Sequence, residues 1–183
     1  MAACLNVSMI LRLLLFSGLV AASAFAGEPT RGSLPAEQQE IIRRLADQHE
    51  AIHRSVELTE AGYRARTTSD HPEVASMLIA QVRYMKARLD SGARMRNWDP
   101  AFSEFAAHHD QLKTKIQELA NGLEVEVEGE NRYAVEIAQN HGRIVTGFVS
   151  EGQEAVARKH EAVGSERTNG KQKSRMSKCP QSR

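Results

Sequence analysis

QHEAIHRSVELTEAG, residues 48–62, decides how the chain is built. Ile52 and Val56 lie four apart and extend the series Ile41, Ile42 and Leu45, the spacing of one face of a helix. On that reading a helix starts at Ser33, with Pro35 just inside it, and continues until Gly62 stops it. The same stretch holds His49-Glu50-Ala51-Ile52-His53. This is H-E-x-x-H, by which a helix presents two histidines to zinc and a glutamate to the metal-bound water.

Downstream of Gly62, residues 63–68 read as a short strand. Asp70, with Glu73 three residues on, reads as the N-cap of the next helix. Val74, Met77, Leu78, Met85 and Leu89 mark its apolar face, and Gly92 ends it. Asp99-Pro100 is a second cap followed by proline at the first helical position. Phe102, Phe105, Leu112, Ile116 and Leu119 then continue at helical spacing to Gly122. Leu123-Glu124-Val125-Glu126-Val127-Glu128 alternates as a strand with one buried face does. A last helix is expected from about 133 to 160, with Ile137, Ala138, Ile144, Val145, Phe148 and Val149 as its stripe.

The order of elements recurs. Gly62 falls on Gly122, Arg83 on Arg143 and Gly92 on Gly152, a constant shift (122 − 62 = 60). The expectation is an α+β fold of two helix-strand-helix repeats, about 33–92 and 99–152, related by a pseudo-two-fold. Some four main helices would cover a two-stranded antiparallel sheet. Pairing the strands about that axis sets Arg64 and Arg66 against Glu124 and Glu126.

The ends of the chain read differently from this domain of 33–163. Arg12, the apolar run Leu13-Leu14-Leu15-Phe16 and the small-residue site Ala24-Phe25-Ala26 make 1–26 a signal peptide, with Met9 as an alternative start. Residues 27–32 form a short linker, and the mature protein is expected in the periplasm or secreted. The apolar run is too short for a membrane span, so no transmembrane segment remains after cleavage. Residues 164–183 are polar and basic with almost no apolar side chain, the composition of a disordered tail. Cys179 would be the only cysteine after cleavage, so no internal disulfide is expected. The formal net charge of +1 implies no nucleic-acid partner, which leaves a periplasmic protein partner open.

Three stretches carry a resemblance: TTSDHPEVASMLIAQVRYMKARLDSG from Thr67, NWDPAFSEFAAHHDQL from Asn97 and VEIAQNHGRIVTGFVSEG from Val135. Through them the chain resembles a family of small exported bacterial proteins of unassigned function, some labelled aspartate carbamoyltransferase. The resemblance implies an exported compartment and a shared fold, and it brings no catalytic residues with it. The chain is too short for the two α/β domains of that enzyme, and no phosphate-binding loop is present.

His49, His53, His109 and His141 are the candidate ligands. On a helix, His49 and His53 would share one face. His49 and His109 occupy matching places in the two halves, and His141 interrupts the stripe of the last helix. Converging across the pseudo-two-fold, they would hold zinc, copper or non-covalent haem. The alternatives are a ligand-free interaction module with buried histidines and a small zinc peptidase with Glu50 as general base. The peptidase lacks an evident third ligand, because Arg54-Ser55-Val56-Glu57 follows His53. His71, His108 and His160 read as surface or helix-end residues. No nucleophile, dinucleotide or phosphate-loop motif is present.

Overall fold

The computed structural model describes residues 34–94 and 96–164. The expected leader, the linker, Ser33, Cys179 and the tail from residue 165 onward lie outside the described residues.

The stretch at 48–62 changes conformation in its middle. Helix α1, Ala36–Asp47, stops before the first histidine. A 3-10 turn, His49–Ala51, follows, and then a strand, β1, His53–Thr59. The chain continues through β2 (Gly62–Thr68), α2 (Pro72–Asp90) and α3 (Pro100–Ala107). A second 3-10 turn, His109–Gln111, leads into β3 (Leu112–Leu119) and β4 (Gly122–Gly129). Helix α4 (Arg132–Glu151) and the short α5 (Gln153–Ala157) complete the domain. The strands form one antiparallel sheet in the order β1-β2-β4-β3.

The α+β class stands, but the sheet has four strands where two were expected. Each half runs helix, 3-10 turn, strand, strand, helix. The cause of the misreading is arithmetic. A spacing of four is close to the helical period, and it is also twice the strand period. Ile52 and Val56 therefore fit both. In β1 the position between them is Arg54, which hides the alternation Ile52, Arg54, Val56, Leu58. In β3, Thr114 and Glu118 hide it in the same way around Leu112 and Ile116, while Lys113, Lys115 and Gln117 face outward.

The two central strands pair as the charge pattern requires. Arg64 lies opposite Glu126 and Arg66 opposite Glu124. Their hydrogen bonds measure 2.6 and 3.1 Å. Lys115 from β3 also reaches Glu126, at 3.1 Å. This ladder occupies the sheet face that carries no helix, where exposed pairs contribute little and salt screens them.

The other face carries the helices. Helix α4 packs against β4, β2 and β1, α2 against β4 and β2, and α1 against α2 and α5. Tyr63, Ala65 and Val127 on the strands meet Phe105, Ile137 and Ala138 from the helices. Ile52, Val74, Leu78 and Leu123 form a second cluster.

Both hairpins close through two residues, 60–61 and 120–121. Each ends on a glycine, Gly62 at φ +156° and Gly122 at φ +153°. A Cβ at Gly62 would stand 2.0 Å from the Val127 carbonyl oxygen, and one at Gly122 would stand 2.2 Å from that of Thr67. Only glycine lets β2 and β4 approach there. We expect Gly62→Ala to cost about 1–3 kcal/mol through backbone strain, read from the urea midpoint. A midpoint equal to wild type would mean that the strands part without cost.

Besides the early ends of α1 at Asp47 and α3 at Ala107, two more helix boundaries differ from expectation. The last long helix ends at Glu151 and not near 160, because Gly152 turns the chain at φ +60°. Residue 71, not Asp70, occupies the cap position of α2, and its backbone N–H donates to Ser69 Oγ at 3.2 Å. Asp99 caps α3 as its sequence indicates, accepting from the N–H groups of Ala101 and Phe102.

Candidate ligand cavity and the histidines

The inner face of the sheet is lined by alternate residues of four strands. The helices bridge over it without filling the space beneath. A cavity of about 270 Å³ remains between the layers. Leu78 and Val82 from α2, Val145 and Val149 from α4, and Ile116 and Leu123 from the sheet give it an apolar wall.

The polar groups in that wall are few, and four of them cluster. Arg54 projects from β1 and Thr67 from β2. Arg54 Nη1 donates to Thr67 Oγ1 at 2.7 Å, and its Nε donates to Thr146 Oγ1 of α4 at 3.2 Å. Thr146 in turn donates to the Gly142 carbonyl at 2.8 Å, so the hydroxyl is oriented by its own helix. Beside them Tyr63 Oη and His141 Nδ1 lie 3.1 Å apart. The absence of a side chain at Gly142 gives the Tyr63 ring its place, since a Cβ would stand 2.9 Å from that ring.

Burial sets the charge states in this cluster. Desolvation pushes the Tyr63 hydroxyl up to about 12, with the nearby Arg54 charge opposing it. It pushes His141 down to about 3, and Arg54 adds to that shift. His141 is therefore a neutral ring, stacked on Phe105 with centroids 4.2 Å apart. Arg54 has its own pKa lowered by burial, partly offset by Tyr63. Gln81 Oε1, also in the cavity wall, is buried with no hydrogen-bond partner among the described residues.

The candidate histidines occupy separate surroundings. His49 Nδ1 donates to the Val149 carbonyl at 2.9 Å. The His49 ring lies against Gly152, where a Cβ would stand 2.4 Å from Cδ2. His53 is exposed, with Asp70 3.5 Å away. His109 Nδ1 donates to the Ala106 carbonyl at 3.2 Å. Among the described residues no group of three or more histidine, cysteine, aspartate or glutamate side chains stands where it could hold a metal ion. The expected four-histidine site is therefore not assembled. The H-E-x-x-H geometry is also not formed, because the chain passes from 3-10 turn to strand between His49 and His53. These two histidines do not share a helical face, and Glu50 is exposed. His160, expected at a fraying end, instead lies 2.8 Å from the buried carboxylate of Asp99.

Arg54 is the residue that the sequence reading passed over. Its signal was present as a cation inside the alternation Ile52, Arg54, Val56, Leu58, on the face that the apolar residues assign to the interior.

Among the described residues no helix is long and apolar enough to cross a membrane. Compared with protein-family models, curated proteins and solved structures, the chain has no match in any of the three.

Proposed function

We propose that the chain is an exported binding protein that takes a small apolar molecule into the cavity between its sheet and its helices. Export rests on the leader-like features of residues 1–26. The two halves, with elements in the same order, are read as one duplicated unit whose helices together roof the cavity.

The observation that carries the reading is the cavity itself. A space of about 270 Å³ walled mostly by apolar side chains is the size and chemistry of a small-molecule site. An apolar ligand entering it removes its own surface and that of the wall from water, which favours the occupied state.

Titration of the mature protein with the uncharged fluorophore N-phenyl-1-naphthylamine tests this. We expect saturable, blue-shifted fluorescence near one probe per chain. We also expect Val145→Phe, which places a ring in the cavity, to abolish probe binding while raising Tm. Absence of probe binding, together with a lower Tm in Val145→Phe, would mark a filled core, where overpacking costs about 1–3 kcal/mol. The chain would then be a ligand-free interaction module. Zinc, copper and haemin added in parallel test the histidine-based alternative. It requires stoichiometric uptake that is lost in His49→Ala or His109→Ala.

A further inference from the structure

We infer that Arg54 receives the carboxylate of a medium-chain acyl ligand, whose hydrocarbon occupies the apolar remainder of the cavity. The inference rests on the cavity being a binding site and specifies what it binds.

Three cations line the cavity: Arg54, Lys86 and Arg96. Two are neutralised within the protein. Lys86 Nζ holds Asp90 at 2.7 and 2.6 Å, and Arg96 Nη2 holds Asp99 at 3.1 Å. Arg54 differs, since its hydrogen bonds go only to the hydroxyls of Thr67 and Thr146. Among the described residues no carboxylate pairs with it, and Tyr63 is the one titratable group that acts on it. A partly buried guanidinium held by two hydroxyls keeps its full charge in an apolar wall. Proteins rarely retain that arrangement without an anion to complete it.

The geometry selects the anion. Nε and Nη1 are used in fixing the side chain, which leaves the two N–H groups of Nη2 without a partner among the described residues. A charged N–H donor held at a fixed angle by a planar guanidinium suits a carboxylate oxygen. Tyr63 remains a neutral hydroxyl beside it, and it is a second donor when His141 Nδ1–H donates across their 3.1 Å contact. His141 stays uncharged, so the site supplies one positive charge and matches a monoanion better than a dianion. Beyond this cluster most of the wall is apolar, with Leu78, Val82, Ile116, Leu123, Val145 and Val149, which suits a hydrocarbon chain, and its two other cations are already held by Asp90 and Asp99.

The test compares decanoate with 1-decanol, which share a chain and differ in charge. Each is measured by displacement of N-phenyl-1-naphthylamine at pH 7.5 from the wild-type protein and from Arg54→Met. We expect the wild type to prefer decanoate by about tenfold or more, the size of one charge-assisted hydrogen bond. In Arg54→Met that preference should collapse to near unity. Arg54→Lys, which keeps the charge but loses the planar guanidinium and its anchoring to Thr67 and Thr146, should fall between them, and it serves as the second variant if Arg54→Met does not fold. Equal binding of decanoate and decanol by the wild type would overturn the assignment of Arg54 while leaving the cavity as an apolar binding site. So would a preference that survives Arg54→Met. Failure of the wild type to bind the probe, decanol and decanoate alike would overturn the cavity reading itself.

Discussion

Replacing Asp99 with alanine lowers the unfolding free energy by about 3–5 kcal/mol, the cost of removing one partner from a buried ion pair. Asp99 is fully buried, with 0% of its surface exposed. One oxygen caps α3 by accepting from the N–H groups of Ala101 and Phe102, at 3.1 and 3.4 Å. The other accepts from Arg96 Nη2 at 3.1 Å and from His160 Nδ1 at 2.8 Å. Burial alone would raise the pKa of this carboxyl, but the hydrogen bonds from His160 and Arg96 outweigh it and hold the group below its usual range. The alanine variant leaves the Arg96 guanidinium enclosed by Trp98, Phe102 and Phe148, with centroids at 4.4, 4.9 and 5.3 Å, and no counter-charge. It also frees two helix N–H groups. Asparagine keeps the cap and loses only the charge, so Asp99→Asn should cost less. Urea unfolding of both variants at pH 7 decides the matter. A loss below about 1 kcal/mol for alanine would mean that the cluster does not tie the C-terminal segment to α3. Because the folded pKa lies below the unfolded one, this stability is present above pH 3.8 and disappears as the pH falls through the folded value.

A second acid dependence sets in at higher pH and comes from His141. Its pKa is about 3 in the folded protein against 6.5 for the free side chain. Below pH 6.5 the unfolded chain takes up a proton that the folded chain refuses. Stability then falls by about 1.4 kcal/mol per pH unit until the pH approaches 3. Above pH 6.5 this effect vanishes. The groups facing His141 are Tyr63, Phe102, Phe105 and the Arg54 charge, and none of them favours an imidazolium. The expected loss reaches about 3 kcal/mol near pH 4.5. His141→Phe should flatten the profile between pH 6.5 and pH 4 and leave the loss below 3.8, which belongs to Asp99. Chemical denaturation at half-unit intervals from pH 7.5 to 4 measures the His141 window, and its extension below pH 3.8 measures that of Asp99. A wild-type profile without slope between 6.5 and 4.5 would show that His141 protonates in place.

Several features were legible because one local cause dominates them. The alternation of 123–128 has no helical reading, and its glutamates name the arginines of β2 as their partners. Asp99-Pro100 combines a side-chain acceptor with a residue that lacks an N–H, and α3 starts there. Gly92 sits in a left-handed conformation where α2 stops, at φ +73°. The hairpins β1–β2 and β3–β4 were missed for the opposite reason. Their apolar residues recur at a spacing common to helix and strand, and the intervening position is polar. The histidines misled because the motif assumed a helix that ends at Asp47.

What sequence alone determined here is the α+β composition, the central antiparallel pair with its arginine–glutamate register, the Asp99 cap of α3 and the stop of α2 before Gly92. Each depends on residues adjacent in the chain or on charge matching between two strands. The tertiary structure decided which segments became edge strands, where the histidines went, and that a partly buried arginine without a carboxylate faces an apolar cavity. Those outcomes depend on what packs above each residue. Arg54 is set by Thr67, Thr146 and Tyr63, and Asp99 by His160, 61 positions away. No local pattern holds that information, because the free energies of burial and charge pairing belong to neighbours that only the folded chain brings together.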